Sequence, residues 1–207
     1  MGAVAKFWDR AAKRYAAAEI KDVESHERRL ATIEALLGPD MRVLDMAAGS
    51  GALDVRLSPR AGTIDAVDIS PKMVEIARQR AAEAKVFNTR FTCAAIEDLT
   101  PPEFKYDAVL AMSILHLLDD WRGAIAKAYD LLRPGGLFIS NTHCIEGEKR
   151  RLKFFVRVGV PLGIMPNLQV FGKEAFLAAI RDAGFVIEEE WQKAPKKPVF
   201  VVARKPA

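Results

Sequence analysis

The stretch from Met41 to Gly51 constrains this chain more than any other. Met41-Arg42-Val43-Leu44-Asp45-Met46 is a short apolar run of strand length, and Gly49-Ser50-Gly51 follows at once, ahead of a helix from about Ala52. A strand that turns into a helix through glycines lets a ligand approach the backbone closely and aims N–H groups at it. Many α/β proteins place glycine there merely for tight packing, so the turn alone is a weak pointer to a site. The segments that follow repeat the unit. Residues 63–68 read as a strand, and Ser70-Pro71 opens a helix to about Ala84, with proline in the first turn where its missing N–H is harmless. Residues 90–94 and 106–112 read as strands and 119–132 as a helix. Pro134-Gly135-Gly136 then turns into the strand 137–141. Strands alternating with helices predict a doubly wound, mostly parallel α/β sheet with helices on both faces.

Two amphipathic helices, 3–18 and 24–37, precede this core, the second with Leu30, Ile33, Leu36 and Leu37 on one face and Gly38-Pro39 as its stop. Beyond Asn141 the rhythm breaks. Residues 146–172 are irregular, basic, aromatic and proline-bearing. A helix over 173–183 follows, then extended runs 185–191 and 198–203 separated by Pro195-Lys196-Lys197. That ending predicts an antiparallel hairpin and a seven-stranded sheet, where an ordinary dinucleotide-binding domain would continue with strand–helix units.

The chain's 207 residues suit one domain. A net charge of +4 with both signs interspersed is too mild to argue for nucleic acid. Cys93 and Cys144 match no zinc or redox spacing and read as reduced, buried thiols; no metal is expected. Residues 1–10 hold no apolar signal-peptide core, and no run of about 18 apolar residues could span a bilayer, so a cytoplasmic location is expected.

Asp68 sharpens the glycine turn. It lies 17 residues beyond Gly51 at the carboxyl end of the second strand, where a carboxylate can accept two hydrogen bonds from ribose hydroxyls. The competing reading is an N-cap for the helix near Pro71. Together, turn and carboxylate point to an adenosine ribose bound at the strand ends.

At this point the motifs resemble a family. Val43-Leu44-Asp45…Gly49-Ser50-Gly51 and Ala66-Val67-Asp68-Ile69-Ser70-Pro71-Lys72-Met73 are similar to the first two motifs of class I, Rossmann-like, S-adenosylmethionine-dependent methyltransferases of the small-molecule type. Ile96-Glu97-Asp98-Leu99 resembles the third, the run from Tyr106 to His116 the fourth, and Leu131-Leu132-Arg133-Pro134-Gly135-Gly136 the turn before the fifth strand. The resemblance covers about residues 28–145 and 173–204. It implies S-adenosyl-L-methionine as cofactor and S-adenosyl-L-homocysteine as product. It further implies that Asp45 lies near the methionine ammonium and supports the loop, and that Ala47, Gly49 and Gly51 give their backbone to the methionine end. Asp68 would hold the ribose, Ile69 would pack on adenine, the Ile96 N–H would meet an adenine nitrogen, and Ser113 would border the sulfonium. Tyr15 resembles an aromatic residue that often covers the cofactor. Two positions depart from the pattern. Ala47 replaces the usual first glycine and must accept a Cβ without φ > 0. Ala95 stands where an acidic residue often binds the adenine amino group, so either Glu97 or Asp98 substitutes or the contact is absent.

On this reading the chain is one methyltransferase domain: an N-terminal helical cap (1–37), a cofactor-binding core (41–145), a lid or substrate insertion (146–172), and the last helix with the terminal hairpin (173–207). Methyl transfer to a hydroxyl or thiol profits from a general base, by about 10²–10⁴-fold. His116 after the fourth strand and His143 after the fifth are the candidates, set against the more ordinary reading of each as a packed loop histidine. His26, among charged neighbours, reads as a surface residue. The segment 146–170 reads as an apolar-faced lid or, through its basic, aromatic part at 148–160, as a peripheral contact with an anionic membrane. The expected acceptor is a small or lipophilic molecule, not nucleic acid. Alternatives are an RNA or protein methyltransferase and a non-catalytic partner-binding module; the acceptor and the oligomeric state stay open. A nicotinamide oxidoreductase shares the first unit but lacks here the third fingerprint glycine.

Overall fold

The computed structural model describes residues 2–145, 159–160 and 165–207. Helices α1 (Ala3–Ala16) and α2 (Val23–Leu36) lead into strand β1 (Arg42–Asp45). There follow α3 (Ala52–Leu57), β2 (Thr63–Asp68), α4 (Pro71–Glu83), β3 (Thr89–Cys93), β4 (Tyr106–Met112), α5 (Trp121–Leu131) and β5 (Leu132–Thr142). The chain closes with α6 (Lys173–Asp182), β6 (Val186–Trp191) and β7 (Val199–Arg204).

These strands form one seven-stranded sheet in the order β3-β2-β1-β4-β5-β7-β6. The first five are mutually parallel, and β7 runs antiparallel to both β5 and β6. The expected doubly wound sheet with its terminal hairpin is therefore present. Each central strand sends alternate side chains to opposite faces. Leu44, Val109, Phe138 and Val201 meet α5 and α6, while Val43, Leu110, Ile139 and Val202 meet α2, α3 and α4. With both faces covered, β4 reads as a continuous apolar run, and Ala108 to Ala111 are fully buried. Strand order reverses between β1 and β4, so a crevice opens beyond their carboxyl ends, and β1 delivers Asp45 there.

Local chemistry explains the boundaries. Ser70 caps α4 by accepting the Met73 N–H, and α1 is drawn across α4 because Asp9 accepts from the Ser70 hydroxyl (2.6 Å) and the Lys72 N–H (3.1 Å). β5 starts five residues earlier than the expected strand 137–141. Leu132 pairs with Tyr106 and Leu137 with Ala108, so residues 133–136 bulge opposite Asp107, which takes the Arg133 guanidinium.

Two expectations need correction. Cys93 is exposed, because β3 is an edge strand whose outer residues are uncovered; only Cys144 is buried. His26 is partly buried at a cavity wall rather than on an open surface. Among the described residues no helix is long and apolar enough to cross a membrane, and no cluster of three metal-ligating side chains forms. Most of the proposed membrane segment 148–160 lies outside the described residues.

Candidate functional site

Two solvent-open cavities, of about 960 and 1150 Å³, meet at the β1–α3 loop. Tyr15, Ala47, Gly49, Met112 and Ser113 line both. The first runs along the ends of β2 and β3, past Asp68, Ile69, Ile96 and Glu97, and reaches an apolar wall of Val4, Trp8, Ile114, Leu117 and Leu118. The second passes Asp45 and Ser50 toward His26 and Arg29 of α2, Arg80 of α4 and Asn141 of β5.

The loop is held from within. Asp45 Oδ1 accepts the Ala47 N–H at 2.9 Å, and the Gly51 N–H closes the turn on the Ala48 carbonyl at 2.9 Å. Gly49 sits at φ +53°, a left-handed conformation that favours glycine. A Cβ there would stand 3.5 Å from Tyr15 Cε1, filling the gap between the loop and its aromatic cover. Ala47 is not among the described residues with positive φ, which is how it carries a Cβ.

Gly51 is different. Its φ is +71°, and a Cβ would come to 2.7 Å from Ala77 Cβ and 3.0 Å from Phe91. It lines neither cavity. Its glycine lets α4 close on the loop, a packing role that the sequence did not announce.

Asp68 bridges two backbone segments. Oδ2 accepts the Gly49 N–H at 2.9 Å, and Oδ1 accepts the Ser70 N–H at 2.8 Å. Ser70, not Asp68, is the helix cap. Each Asp68 oxygen takes one of these N–H donors and keeps a lone pair for a further donor. Burial raises the Asp68 carboxyl above the usual range, and the two N–H bonds oppose that shift. Desolvation pushes the Tyr15 phenol upward, and the charges of Asp68 and then Asp45 add to it. Ser113 holds φ +60°, unusual for a residue with a side chain, pinned by its N–H to the Asn141 carbonyl at 2.8 Å.

His116 and His143 come together, their ring centroids 5.1 Å apart, but neither lines the two cavities. His116 is buried with Nδ1 unpartnered; burial, then the charge of His143, lower its pKa to about 4. His143 is exposed at its surface, and burial, then Arg29 and Lys197, lower it too.

Sequence reasoning missed Arg29, Trp8 and Arg80. Arg80 Nη1 donates to the Ser50 carbonyl and hydroxyl, both at 2.7 Å, and Nη2 reaches the Ala16 carbonyl at 3.5 Å. It ties the loop to α1 and α4 at once. Nothing in a lone helical arginine announces such a role.

Known proteins resemble this chain in sequence and in fold. Residues 43–136 match the family described as a methyltransferase domain. The chain is 34% identical over 114 residues to a demethylmenaquinone methyltransferase of Deinococcus radiodurans, covering 54% of this chain and 47% of that protein. It is 34% identical over 102 residues to a ubiquinone biosynthesis O-methyltransferase of Methylocella silvestris, covering 49% and 40%. The aligned region thus spans about half the length of these relatives or less. Among solved structures, the N-methyltransferase NodS from Bradyrhizobium japonicum in complex with S-adenosyl-L-homocysteine superposes with TM-score 0.73 at 17% identity, covering 97% of this chain and 99% of NodS. The cyclase SpnF superposes with TM-score 0.70 at 21% identity, covering 86% and 78%. At such identities the likeness is one of fold.

Proposed function

We propose that this chain, whose sheet is the class I Rossmann-like methyltransferase fold and whose residues 43–136 match a methyltransferase domain, transfers a methyl group from S-adenosyl-L-methionine to a small lipophilic acceptor. The observation that carries the reading is the Asp68–Gly49 bridge: a carboxylate with spare lone pairs beside a loop whose glycine leaves open the gap under Tyr15. These residues fit the cofactor. Asp68 takes the ribose hydroxyls, Ile69 and the Ile96 backbone border the adenine, with Glu97 at its edge, Ala47 and Gly49 meet the methionine end beside Asp45, and Ser113 borders the sulfonium.

When bound, the cofactor supplies a methyl carbon already activated by its positive sulfonium. The protein's part is then positioning and exclusion of water, worth up to roughly 7–11 kcal/mol in well-oriented systems. The apolar wall of Ile114, Leu117, Leu118 and Trp8 suits a lipophilic acceptor, in keeping with the quinone names of the relatives. His143 is the better candidate base. Burial lowers both imidazoles and neither lines the two cavities, but His143 keeps an exposed face open to an acceptor that extends past the cavity walls, whereas His116 is enclosed. Residues 148–160 are the candidate contact with an anionic membrane, which binding to anionic vesicles at low salt would test.

A fold can host unrelated chemistry, as the likeness to a cyclase illustrates. The test is a screen of acceptors with labelled S-adenosyl-L-methionine, spanning demethylated quinones, phenols, amines, RNA and protein. Label in a small apolar product supports the proposal; label only in RNA or protein, or none in any acceptor, overturns it.

A further inference from the structure

Beneath the loop lie two buried carboxyls: Asp45 is 1% exposed and Asp54 0%. Asp45, at the end of β1, is engaged on the Ala47 N–H and faces the second cavity. Asp54, in the first turn of α3, has both carboxyl oxygens buried without a hydrogen-bond partner, and the charge that acts on it is that of Asp45. Two neighbouring carboxylates this deeply buried resist ionising together; such a pair holds a proton and titrates as a unit. The proton belongs on Asp54, since a protonated Asp54 gives the pair its hydrogen bond while Asp45 remains an acceptor for Ala47.

We propose that Asp54 is a positioning residue for cofactor binding: as a neutral acid it donates to Asp45, so that the pair carries one charge and Asp45 keeps the loop on its Ala47 N–H. The inference rests on the methyltransferase reading above. Burial is the first cause that raises both carboxyls above their ordinary range, and their mutual charge raises Asp54 further. Other groups face the pair and its loop from each neighbouring element. Asp68 of β2 adds repulsion on Asp45, Tyr15 of α1 stands beside Asp45, Arg80 of α4 holds Ser50, and Arg29 and His26 of α2 line the same cavity. No cation bonds to the pair itself among the described residues, so loss of its proton leaves a second charge uncompensated. Repulsion then drives Asp45 from Ala47, and cofactor affinity drops on the alkaline side.

The experiment is calorimetric titration of S-adenosyl-L-homocysteine into wild type, Asp54→Asn and Asp54→Val from pH 6 to 9.5. The asparagine amide keeps a donor that cannot ionise; valine removes it at similar size. Wild-type affinity should fall relative to Asp54→Asn as pH rises, and Asp54→Val should bind about tenfold more weakly at pH 6. Parallel wild-type and asparagine profiles, or a valine variant equal to wild type, overturn the proposal. Infrared spectra keep the test decisive if a variant fails to fold. Wild type should retain a protonated-carboxyl band at pH 7, and its absence overturns the idea. Failure of wild type to bind the ligand at any pH would refute the methyltransferase reading instead, with the infrared band still reporting on the pair.

Discussion

Substituting Gly49 and Gly51 by alanine should separate two roles that look alike in sequence. At Gly51 the new Cβ would sit 2.7 Å from Ala77 Cβ and 3.0 Å from Ala77 Cα, with φ at +71°. The left-handed backbone costs roughly 1–2 kcal/mol for a residue with a Cβ, and overpacking typically adds about 1–3 kcal/mol. The sum is roughly 2–5 kcal/mol. For a chain of this size each kcal/mol lowers Tm by about 2–4 °C, so Gly51→Ala should melt on the order of 10 °C lower. At Gly49 the backbone cost is similar, but the Cβ meets only Tyr15 Cε1, at an ordinary 3.5 Å. Gly49→Ala should lose only a few degrees. Its Cβ would instead occupy the gap proposed for the cofactor, weakening S-adenosyl-L-homocysteine binding by about 5–150-fold, the same 1–3 kcal/mol read as affinity. Differential scanning fluorimetry and calorimetric titration on both variants check this. If Gly51→Ala melts like wild type, or Gly49→Ala binds like wild type, the division of labour is refuted.

Acid should destabilise the apoprotein through His116. Its pKa is lowered from 6.5 to about 4, so the unfolded chain takes up a proton that the folded one refuses; stability is lost as pH falls through that window, by about 3 kcal/mol at 1.36 kcal/mol per pKa unit. Asp45, Asp54 and Asp68 are shifted upward and pull the opposite way, so the readout is the difference between wild type and His116→Gln in urea melts at pH 7.5 and 4.5. A difference that does not change with pH would show that His116 is not held neutral. His143→Ala should lower kcat on a hydroxyl acceptor by about 10²-fold or more while cofactor affinity changes little; unchanged kcat would remove it as a base.

Much of the fold was legible because its strands are apolar runs bounded by glycine or proline. The expected strands 63–68 and 106–112 coincide with β2 and β4. The Asp68 position was legible for a similar reason: a carboxylate ending a buried strand has few structural uses. Other features depend on partners remote in sequence. That Gly51 serves packing depends on Ala77, which only the folded α4 brings near. Asp54 reads as an ordinary first-turn acid until α3 turns it inward against Asp45. Arg80 and Arg29 look like solvent-facing helical cations, yet the crossing of α1 over α4 and the placement of α2 put them at the loop. The β5 bulge was hidden because Pro134-Gly135-Gly136 reads equally well as a turn before a strand.

The central claim is that Asp68 and the glycine loop form a binding site for S-adenosyl-L-methionine. Titrating S-adenosyl-L-homocysteine into wild type and Asp68→Ala tests it most directly. Removing a charged acceptor of hydroxyl and N–H donors costs about 1.5–3 kcal/mol per bond. Wild type should therefore bind saturably, and the variant should lose at least tenfold in affinity with its fold intact by circular dichroism. Equal affinity in the two proteins, or no binding to wild type, would contradict it.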